Sequence, residues 1–322
     1  MIFRQWPRLY AQVGAVVLLC VQLFFGLSLA EAASAEDQLL KLSYFSESTQ
    51  ENRQYFVYLP RDYDLQPQKK WPLMFFLHGH GQRGNAREDL DHVLVHGPLM
   101  EAWIQKRPLP FIIISPQLPL IFGIPGVEED HSNDPLPRRL EQGVPDRNYG
   151  FKSAQAIRRY NAEEFPEGPH SRFEGYPDFK GWINIHQELI LMLDTVLEQY
   201  RADEERVYLT GISYGGFGTF DIAAKYPERW AAIAPIVGTG KLSDAKVLAD
   251  AALPIWMFGG GKDTTVKPHW LYEMADALQQ AGHPALRFTM HENMDHDAWK
   301  RVYEGEDLYN WFLRYTNSQR PR

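Results

Sequence analysis

Ser213 lies in a glycine-bracketed pentapeptide, Gly211-Ile212-Ser213-Tyr214-Gly215, and carries a hydroxyl of the kind that enzymes use as a nucleophile. The β-branched and aromatic residues at 206–210 predict a strand before it, and the helix formers at 216–224 predict a helix after it. Glycine has no Cβ, so the flanking glycines permit a sharp turn that lifts the hydroxyl clear of a sheet. The motif therefore predicts a nucleophile at a strand-to-helix turn. An ordinary Gly/Ser loop is the alternative that five residues alone leave open.

A serine hydroxyl needs a base within hydrogen-bond reach and a third group that fixes the tautomer of that base. Asp263 follows the apolar run 255–258 in a glycine-rich loop, and His296 follows the last apolar run, 286–290. Parallel strands present their carboxyl ends at one edge of a sheet. The chain order Ser213, Asp263, His296 therefore predicts that these three side chains meet at that edge.

Other histidines and aspartates late in the chain compete for these roles. His291 ends a predicted strand and His283 lies in a turn, so His296 is favoured as the base. The competing aspartates are expected to be solvent-facing helix residues or loop residues beside His296: Asp244, Asp250, Asp276, Asp295 and Asp297.

Four motifs in this chain are together more specific than any one of them. They are His78-Gly79-His80-Gly81 after an apolar run, the serine pentapeptide followed by Gly216, Gly-x-x-Asp-x-x-Val at 260–266, and His-Asp-x-Trp at 296–299. In this combination the chain resembles the α/β-hydrolase superfamily, and within it the exported carboxylesterase, phospholipase/carboxylesterase-like and "predicted peptidase" group. The resemblance covers residues 55–312 apart from 116–180.

The resemblance implies a role for each matching residue. Ser213 is expected to be the nucleophile, His296 the general base and then acid, and Asp263 the orienting carboxylate. The backbone N–H groups of His80 and Tyr214 are expected to form the oxyanion hole, with the side chains of His78 and His80 not catalytic. The glycines that shape the two loops are Gly79, Gly81, Gly211 and Gly215. We expect no metal and no cofactor in this chemistry.

Apolar patterning predicts the fold class independently. Alternating residues predict two antiparallel edge strands at 38–46 and 54–59, and continuous apolar runs predict buried strands at 71–77, 109–115, 206–210, 230–237, 253–258 and 286–290. Helical spacing between and after these runs predicts helices at 94–104, 182–200, 242–251, 270–281 and 303–315. This alternation predicts one doubly wound, mostly parallel sheet of the α/β class, here an α/β-hydrolase fold in a single catalytic domain at 36–322.

Residues 116–180 break this pattern, because prolines, glycines, charges and aromatic residues intermingle there with at most one helix, around 154–160. A non-periodic stretch of this length inside a compact domain is usually functional, so we expect an insertion after the fourth strand that acts as a lid or substrate-binding segment. Asp130, His131 and Asp134 suggest a metal site in it. Isolated acidic loops usually bind only water, so no metal is expected there.

The composition and net charge limit the classes of partner that the protein can bind. The chain has 322 residues, 44% hydrophobic and 23% charged, as a soluble globular domain with ample core requires. Its formal net charge of −8 argues against nucleic acid or an anionic membrane as a partner. Cys20 is the only cysteine and lies in the apolar leader, so the remainder of the chain has no disulfide and no thiol nucleophile.

Residues 1–35 have the pattern of a secretory signal peptide. Arg4 and Arg8 precede an apolar stretch at 13–30, and small residues suited to cleavage follow it. We expect the signal to be cleaved and the protein to be exported to the periplasm or the extracellular space. The alternative is an uncleaved N-terminal helix that anchors the protein in a membrane.

These observations predict a serine hydrolase that cleaves carboxylic esters of small molecules or of polysaccharides. The aromatic insertion suggests a feruloyl or acetyl substituent, although core packing explains aromatic residues equally well. A serine peptidase of the prolyl-oligopeptidase type is one alternative, since ester and amide cleavage share the same residues. The other is a catalytically silent hydrolase fold that acts as a binding module.

Overall fold

A computed structural model describes residues 36–123, 135–143 and 181–320 of the chain. Eight strands form one sheet: β1 (Gln38–Ser46), β2 (Glu51–Leu59), β3 (Trp71–Leu77), β4 (Ile112–Pro116), β5 (Ala202–Ile212), β6 (Ala232–Ile236), β7 (Ile255–Gly260) and β8 (Leu286–His291). Their order across the sheet is β1-β2-β4-β3-β5-β6-β7-β8. Strand β5, which precedes Ser213, therefore lies near the middle of the sheet.

The sheet is mostly parallel, as the sequence predicts. β1 pairs antiparallel with β2 and β2 antiparallel with β4, whereas every later pairing is parallel. All seven residues of β3 are buried, and so are all residues of β6 and β7. Strands covered on both faces explain the continuous apolar runs in the sequence.

Six α-helices cover the two faces of the sheet in the part of the chain that the structure describes: α1 (His186–Gln199), α2 (Tyr214–Lys225), α3 (Ala245–Asp250), α4 (Pro268–Gln280), α5 (Trp299–Glu304) and α6 (Asp307–Phe312). Buried residues of α1, α2 and α4, such as Leu189, Phe220 and Leu271, pack in one apolar cluster. Val302 of α5 and Phe312 of α6 pack in the other. The doubly wound α/β prediction is confirmed.

Two helix predictions are wrong. The link between β3 and β4 holds a short 3-10 turn, Leu90–Leu94, and a π-helical turn, Met100–Ile104, instead of a helix over 94–104. Gly97 adopts a φ of 83° and Pro98 follows it, a combination that interrupts a helix. The helix predicted at 303–315 is divided into α5 and α6 because Gly305 is extended.

The insertion begins directly after β4, the fourth strand, and most of it lies outside the described residues. The same holds for the predicted signal peptide, for Asp130, His131 and Asp134, and for the helix predicted at 154–160. Within the described ranges, no helix combines the length and apolarity needed to cross a bilayer. Those ranges also contain no cluster of three or more side chains suited to holding a metal ion.

Candidate active site

Ser213 occupies a sharp turn between β5 and α2, which we call the serine turn (Gly211–Gly215). Its backbone has a φ of 51° and a ψ of −116°, a conformation that costs a non-glycine residue energy. The Ser213 N–H donates to the Ile236 carbonyl at 2.9 Å, which ties the turn to the end of β6. Strain of this kind persists only where surrounding structure enforces it, and it is concentrated at functional sites.

The glycines of the serine turn are packed against backbone. A Cβ on Gly215 would collide with the Leu77 carbonyl oxygen, and one on Gly211 would collide with the Gly215 carbonyl oxygen. Backbone atoms at these positions have little freedom to move aside. The turn therefore requires glycine at both positions, and this requirement explains the two glycines of the pentapeptide.

The structure brings Ser213, His296 and Asp263 together, as the sequence predicts. His296 Nε2 lies 2.9 Å from Ser213 Oγ, and His296 Nδ1 lies 2.7 Å from Asp263 Oδ2. A carboxylate only accepts hydrogen bonds, so Nδ1 carries the ring proton and donates it. Nε2 is then left to accept from the Ser213 hydroxyl, which is the arrangement a general base needs.

Backbone N–H groups hold the Asp263 carboxylate in place. Its Oδ1 accepts from the N–H groups of Thr265 and Val266 at 2.8 and 2.9 Å, which leaves Oδ2 for the imidazole. The Asp263 side chain is only 1% exposed. Charge-assisted bonds in such a dry site are stronger than those in water.

The loops after β7 and β8 are bound to each other. Gly261 N–H donates to the His291 carbonyl and Lys262 N–H to the Met294 carbonyl, each at 2.9 Å. A Cβ on Gly260 would collide with the Asp295 carbonyl oxygen, so glycine permits this close approach. The contact explains how residues 33 positions apart form one hydrogen bond.

Trp299 packs against the imidazole of His296. The two rings meet edge to face, with centroids 5.2 Å apart and an interplanar angle of 89°. Trp299 also contacts the ring of His96, with centroids 5.3 Å apart. The contact between Trp299 and His296 restricts the rotation of the imidazole ring. The motif at 296–299 includes Trp299, but the sequence alone assigns this residue no role.

The competing candidates lie elsewhere. His291 ends β8 and stacks on Phe258, and burial lowers its pKa to about 4. His283 lies in the turn before β8, where burial also lowers its pKa to about 4. The aspartates contact neighbouring polar groups on helices, turns or loops: Asp244 with Ser243, Asp250 with Lys246, Asp276 with Gln280, Asp295 with the His296 N–H and Asp297 with Lys300.

The segment after β3, residues 78–84, forms what we call the β3 loop, and the buried side chain of His78 holds it. His78 Nε2 accepts from the Leu118 N–H at 2.9 Å, so Nδ1 carries the proton and donates to the Gly79 carbonyl at 2.6 Å. Burial lowers the pKa of His78 to about 3, which keeps the ring neutral. Because a peptide unit is planar, fixing the Gly79 carbonyl also fixes the direction of the His80 N–H.

Three further buried side chains, one in the loop and two from other segments, also hold the β3 loop. Arg83 Nε donates to the His80 carbonyl and Gln117 Nε2 to the Gln82 carbonyl, both at 2.9 Å. Arg53 Nη2 donates to the Gly84 carbonyl, also at 2.9 Å. Sequence reasoning missed Arg53, Arg83 and Gln117, since no local motif distinguishes them.

His80 and Tyr214, the predicted oxyanion-hole residues, lie side by side. Their rings meet edge to face with centroids 5.3 Å apart. Tyr214 is the first residue of α2, at the end of the helix where the dipole favours negative charge. His80 begins a short 3-10 turn that includes Gly81. Both residues thus begin helical turns, Tyr214 next to Ser213 in sequence and His80 in the β3 loop.

Gly79 differs from the glycines of the serine turn. It is extended, and a Cβ there would lie 3.2 Å from the side-chain oxygen of Gln82, a flexible group. The requirement for glycine is therefore weaker at Gly79 than at Gly211 or Gly215.

Similar proteins support this reading of the fold. The family model described as the prolyl oligopeptidase family matches residues 183–246, which include the serine turn. A Salmonella typhimurium protein that carries a provisional carboxymethylenebutenolidase name is 29% identical, over 35% of this chain and 48% of that protein. The chain thus spans about half the length of the curated relative it matches.

Solved structures of esterases superpose on most of the chain. A thermostable esterase aligns with a TM-score of 0.54 and 23% identity, covering 86% of this chain and 63% of that one. A ferulic acid esterase from Anaeromyces mucronatus, in complex with ferulic acid, aligns with a TM-score of 0.50 and 18% identity over 89% and 95% of the two chains. The chain is therefore an α/β-hydrolase-fold protein whose structure resembles that of carboxylesterases.

Proposed function

We propose that this protein is a serine hydrolase of carboxylic esters, with Ser213 as nucleophile. The observation that carries the proposal is the unbroken hydrogen-bonded chain Ser213 Oγ, His296 and Asp263, with heavy-atom distances of 2.9 and 2.7 Å. It starts at a serine held at a φ of 51°. The resemblance to esterase structures supports the same conclusion.

In the first half-reaction, Ser213 Oγ attacks the ester carbonyl carbon while His296 Nε2 removes the hydroxyl proton. The negative charge that develops on the carbonyl oxygen is held by the N–H groups of Tyr214 and His80, and losing one such donor typically costs about 2.7–4 kcal/mol of barrier. Asp263 stabilises the imidazolium that forms. His296 then gives its proton to the departing alcohol and leaves an acyl group on Ser213.

In the second half-reaction, water replaces the alcohol. His296 removes a proton from the water as it attacks the acyl carbon, and the same two N–H groups hold the second oxyanion. The proton returns to Ser213 Oγ as the carboxylic acid leaves. The site carries out both steps with its own side chains and backbone, so the proposal invokes no cofactor.

The test is hydrolysis of p-nitrophenyl acetate by Ser213→Ala. We expect a loss of roughly 10³-fold or more with an unchanged melting temperature, because the hydroxyl makes no contact that the fold needs. Ser243→Ala, which removes an exposed serine on a 3-10 turn, is the matched control and is expected to retain full activity. Turnover in Ser213→Ala equal to that of the unmodified protein would overturn the assignment.

A serine peptidase is the second candidate, because the prolyl oligopeptidase family model covers the serine turn. Ester and anilide substrates with the same acyl group discriminate between the two. We expect the ester to be cleaved with the larger kcat/KM and the anilide to be a poor substrate. Preferential cleavage of the anilide would establish the peptidase alternative.

We also propose that the substrate is a small-molecule or polysaccharide-linked ester and that the protein is exported through its leader at 1–35. The ferulic acid bound to one structural neighbour makes feruloyl esters the first class to assay. Export is tested by the mass of the mature N-terminus. Cleavage near residue 35 is the expected result, and an intact leader would favour the membrane anchor.

A further inference from the structure

Arg83 lies in the β3 loop, and its side chain joins this loop to the segment that follows β4. The residue is only 6% exposed. Its Nε donates to the His80 carbonyl at 2.9 Å, and its Nη1 donates to the carbonyls of Leu120 and Phe122 at 3.2 Å each. A guanidinium is a planar fork whose N–H groups keep fixed directions, so it holds these three carbonyls in one arrangement. We call residues 118–123 the post-β4 segment.

The same guanidinium holds the imidazole ring of His80. Arg83 Nη2 lies 3.3 Å from His80 Nδ1. A guanidinium only donates hydrogen bonds, so Nδ1 accepts, and the neutral ring carries its proton on Nε2. The ring also meets the ring of Tyr214 edge to face. The His80 side chain is therefore held both by Arg83 and by the first residue of α2.

Arg83 and His78 anchor the two peptide planes on either side of His80. The plane before His80 is held at the Gly79 carbonyl, which accepts from His78 Nδ1 at 2.6 Å. The plane after His80 is held at the His80 carbonyl by Arg83. The backbone of a residue can change only by rotation of these two planes about φ and ψ. Because both planes are anchored, Arg83 and His78 together fix the backbone conformation at His80.

The post-β4 segment packs against the β3 loop at both of its ends. At the first end, the Gly84 N–H donates to the Leu118 carbonyl at 3.0 Å. At the other end, a Cβ on Gly123 would collide with Arg83 Nη1 and would lie 3.2 Å from His80 Nε2. This close packing leaves the Arg83 guanidinium little room to move away from His80.

We propose that Arg83 is a positioning residue for ester hydrolysis, and that it acts by holding the backbone and the ring of His80. The kinetic role rests on the proposed esterase function, because the His80 N–H is one of the two donors assigned to the oxyanion. The contact between Arg83 and the His80 ring does not depend on that function. Hydrolysis and the tautomer of His80 are therefore measured separately.

The first test is the hydrolysis of p-nitrophenyl acetate by Arg83→Ala and Arg83→Lys. We expect kcat to fall roughly 10²-fold in both variants with KM little changed, because the His80 N–H stabilises the transition state more than the bound ester. Lysine keeps the positive charge, but it donates from a single nitrogen and cannot reach all of the acceptors. Arg61→Ala, which removes an exposed arginine just after β2 at the other end of the sheet, is the matched control with full activity expected.

Chemical rescue separates positioning from a general loss of structure. Guanidinium chloride at about 50 mM is far too dilute to unfold an ordinary domain. We expect it to raise kcat of Arg83→Ala roughly fivefold or more, because the free ion can donate the same hydrogen bonds. Sodium chloride at the same concentration is the control and is expected to have no such effect. Full activity in Arg83→Lys, or the absence of rescue in Arg83→Ala, would overturn the positioning role.

The second test does not depend on hydrolysis. Long-range proton–nitrogen NMR spectra of the full chain with isotopically labelled histidine, recorded at mildly alkaline pH, report which ring nitrogen carries the proton. The His80 signals are assigned by their loss in His80→Gln. We expect Nδ1 of His80 to be unprotonated and its resonance to shift in Arg83→Ala and Arg83→Lys.

A proton on His80 Nδ1 in the unmodified protein would overturn the proposal whatever the hydrolytic activity. So would an Nδ1 resonance that both Arg83 variants leave in place. The expected tautomer in a protein that hydrolyses no ester would refute the esterase function and support the contact between Arg83 and His80.

Discussion

The serine turn and the β3 loop lie side by side at the carboxyl edge of the sheet, yet they are held in different ways. In the serine turn, glycines pack directly on backbone carbonyls, and a Cβ on Gly215 would collide with Leu77. In the β3 loop, side chains from distant segments hold the carbonyls, as Arg53 and Gln117 do. The shape of the serine turn depends on the absence of side chains at its glycines, whereas the shape of the β3 loop depends on hydrogen bonds from side chains.

This difference indicates which amino-acid substitutions each part of the site tolerates. Backbone packed on backbone has no flexible group that can yield, so a side chain added at Gly211 or Gly215 affects folding itself. A loop held by side chains has separable contacts, so removing one loosens the loop and lowers the rate before it unfolds the protein. The variants below test this distinction.

Gly215→Ala is expected to have the largest effect. The added Cβ collides with the Leu77 carbonyl and crowds the His78 carbonyl at the end of β3, which we expect to cost about 3 kcal/mol or more. Urea unfolding is the measurement. Gly305→Ala, where φ is −77° and the added Cβ would meet no atom closer than 3.4 Å, is the control for steric cost. Equal stabilities of the Gly215→Ala and unmodified proteins would contradict the claim that backbone packing excludes a side chain at this position of the serine turn.

Asp263→Asn is expected to lower kcat by roughly 10⁴-fold while the protein stays folded. The remaining amide oxygen still accepts from Thr265 and Val266, so the new NH₂ group faces His296 Nδ1. That ring nitrogen must then accept, which moves the ring proton to Nε2 and prevents it from taking the Ser213 proton. Asp250→Asn, on the surface of α3, is the matched control. Retention of most activity would refute the orienting role.

Gln117→Leu tests the β3 loop. It removes donors to the Gln82 and Asp89 carbonyls and an acceptor for the Ala86 N–H, so we expect kcat to fall roughly tenfold with KM little changed. The Ala86 N–H keeps Asp89 Oδ1 as its acceptor and the Asp89 carbonyl keeps the His92 N–H as its donor, so only the Gln82 carbonyl loses its partner, at a cost of about 1–3 kcal/mol. Gln280→Leu on the surface of α4 serves as the control. Full activity in Gln117→Leu would show that the loop holds its shape without this side chain.

His78→Asn tests the β3 loop through the pH dependence of folding stability. Burial lowers the His78 pKa from 6.5 to about 3, so between these values the unfolded chain binds a proton that the folded chain does not. Stability contributed by the neutral ring is therefore complete above pH 6.5 and is lost as pH falls toward 3, by about 1.4 kcal/mol per pH unit. Between pH 6 and 4, we expect the free energy of unfolding of the variant to fall less steeply with decreasing pH than that of the unmodified protein. The difference in slope is expected to correspond to about one bound proton. Identical slopes would contradict a buried neutral His78.

The fold and the convergence of Ser213, Asp263 and His296 were predictable because local patterns specify them. Continuous apolar runs predict β3 and β7, and the glycine-bracketed serine predicts the turn at Ser213. The connection after β3 was not predictable from apolar spacing, since Gly97 at positive φ overrides a helical pattern.

The scaffold of the β3 loop was not predictable either. Arg53 contacts carbonyls 31 and 64 residues away, and Gln117 binds Gln82 across 35 residues. A buried arginine or glutamine has no local signature, because its partners are backbone carbonyls that any sequence provides. Contacts of this kind depend on how loops meet in the folded chain.

The most direct test of the central claim is labelling with a fluorophosphonate probe followed by peptide mass mapping. Only a serine activated by a neighbouring base reacts with this probe, so labelling also separates an enzyme from a silent hydrolase fold. The account predicts one adduct, located on Ser213, and no adduct in Ser213→Ala or His296→Ala. An adduct on a different residue, or no adduct on the unmodified protein, would contradict it.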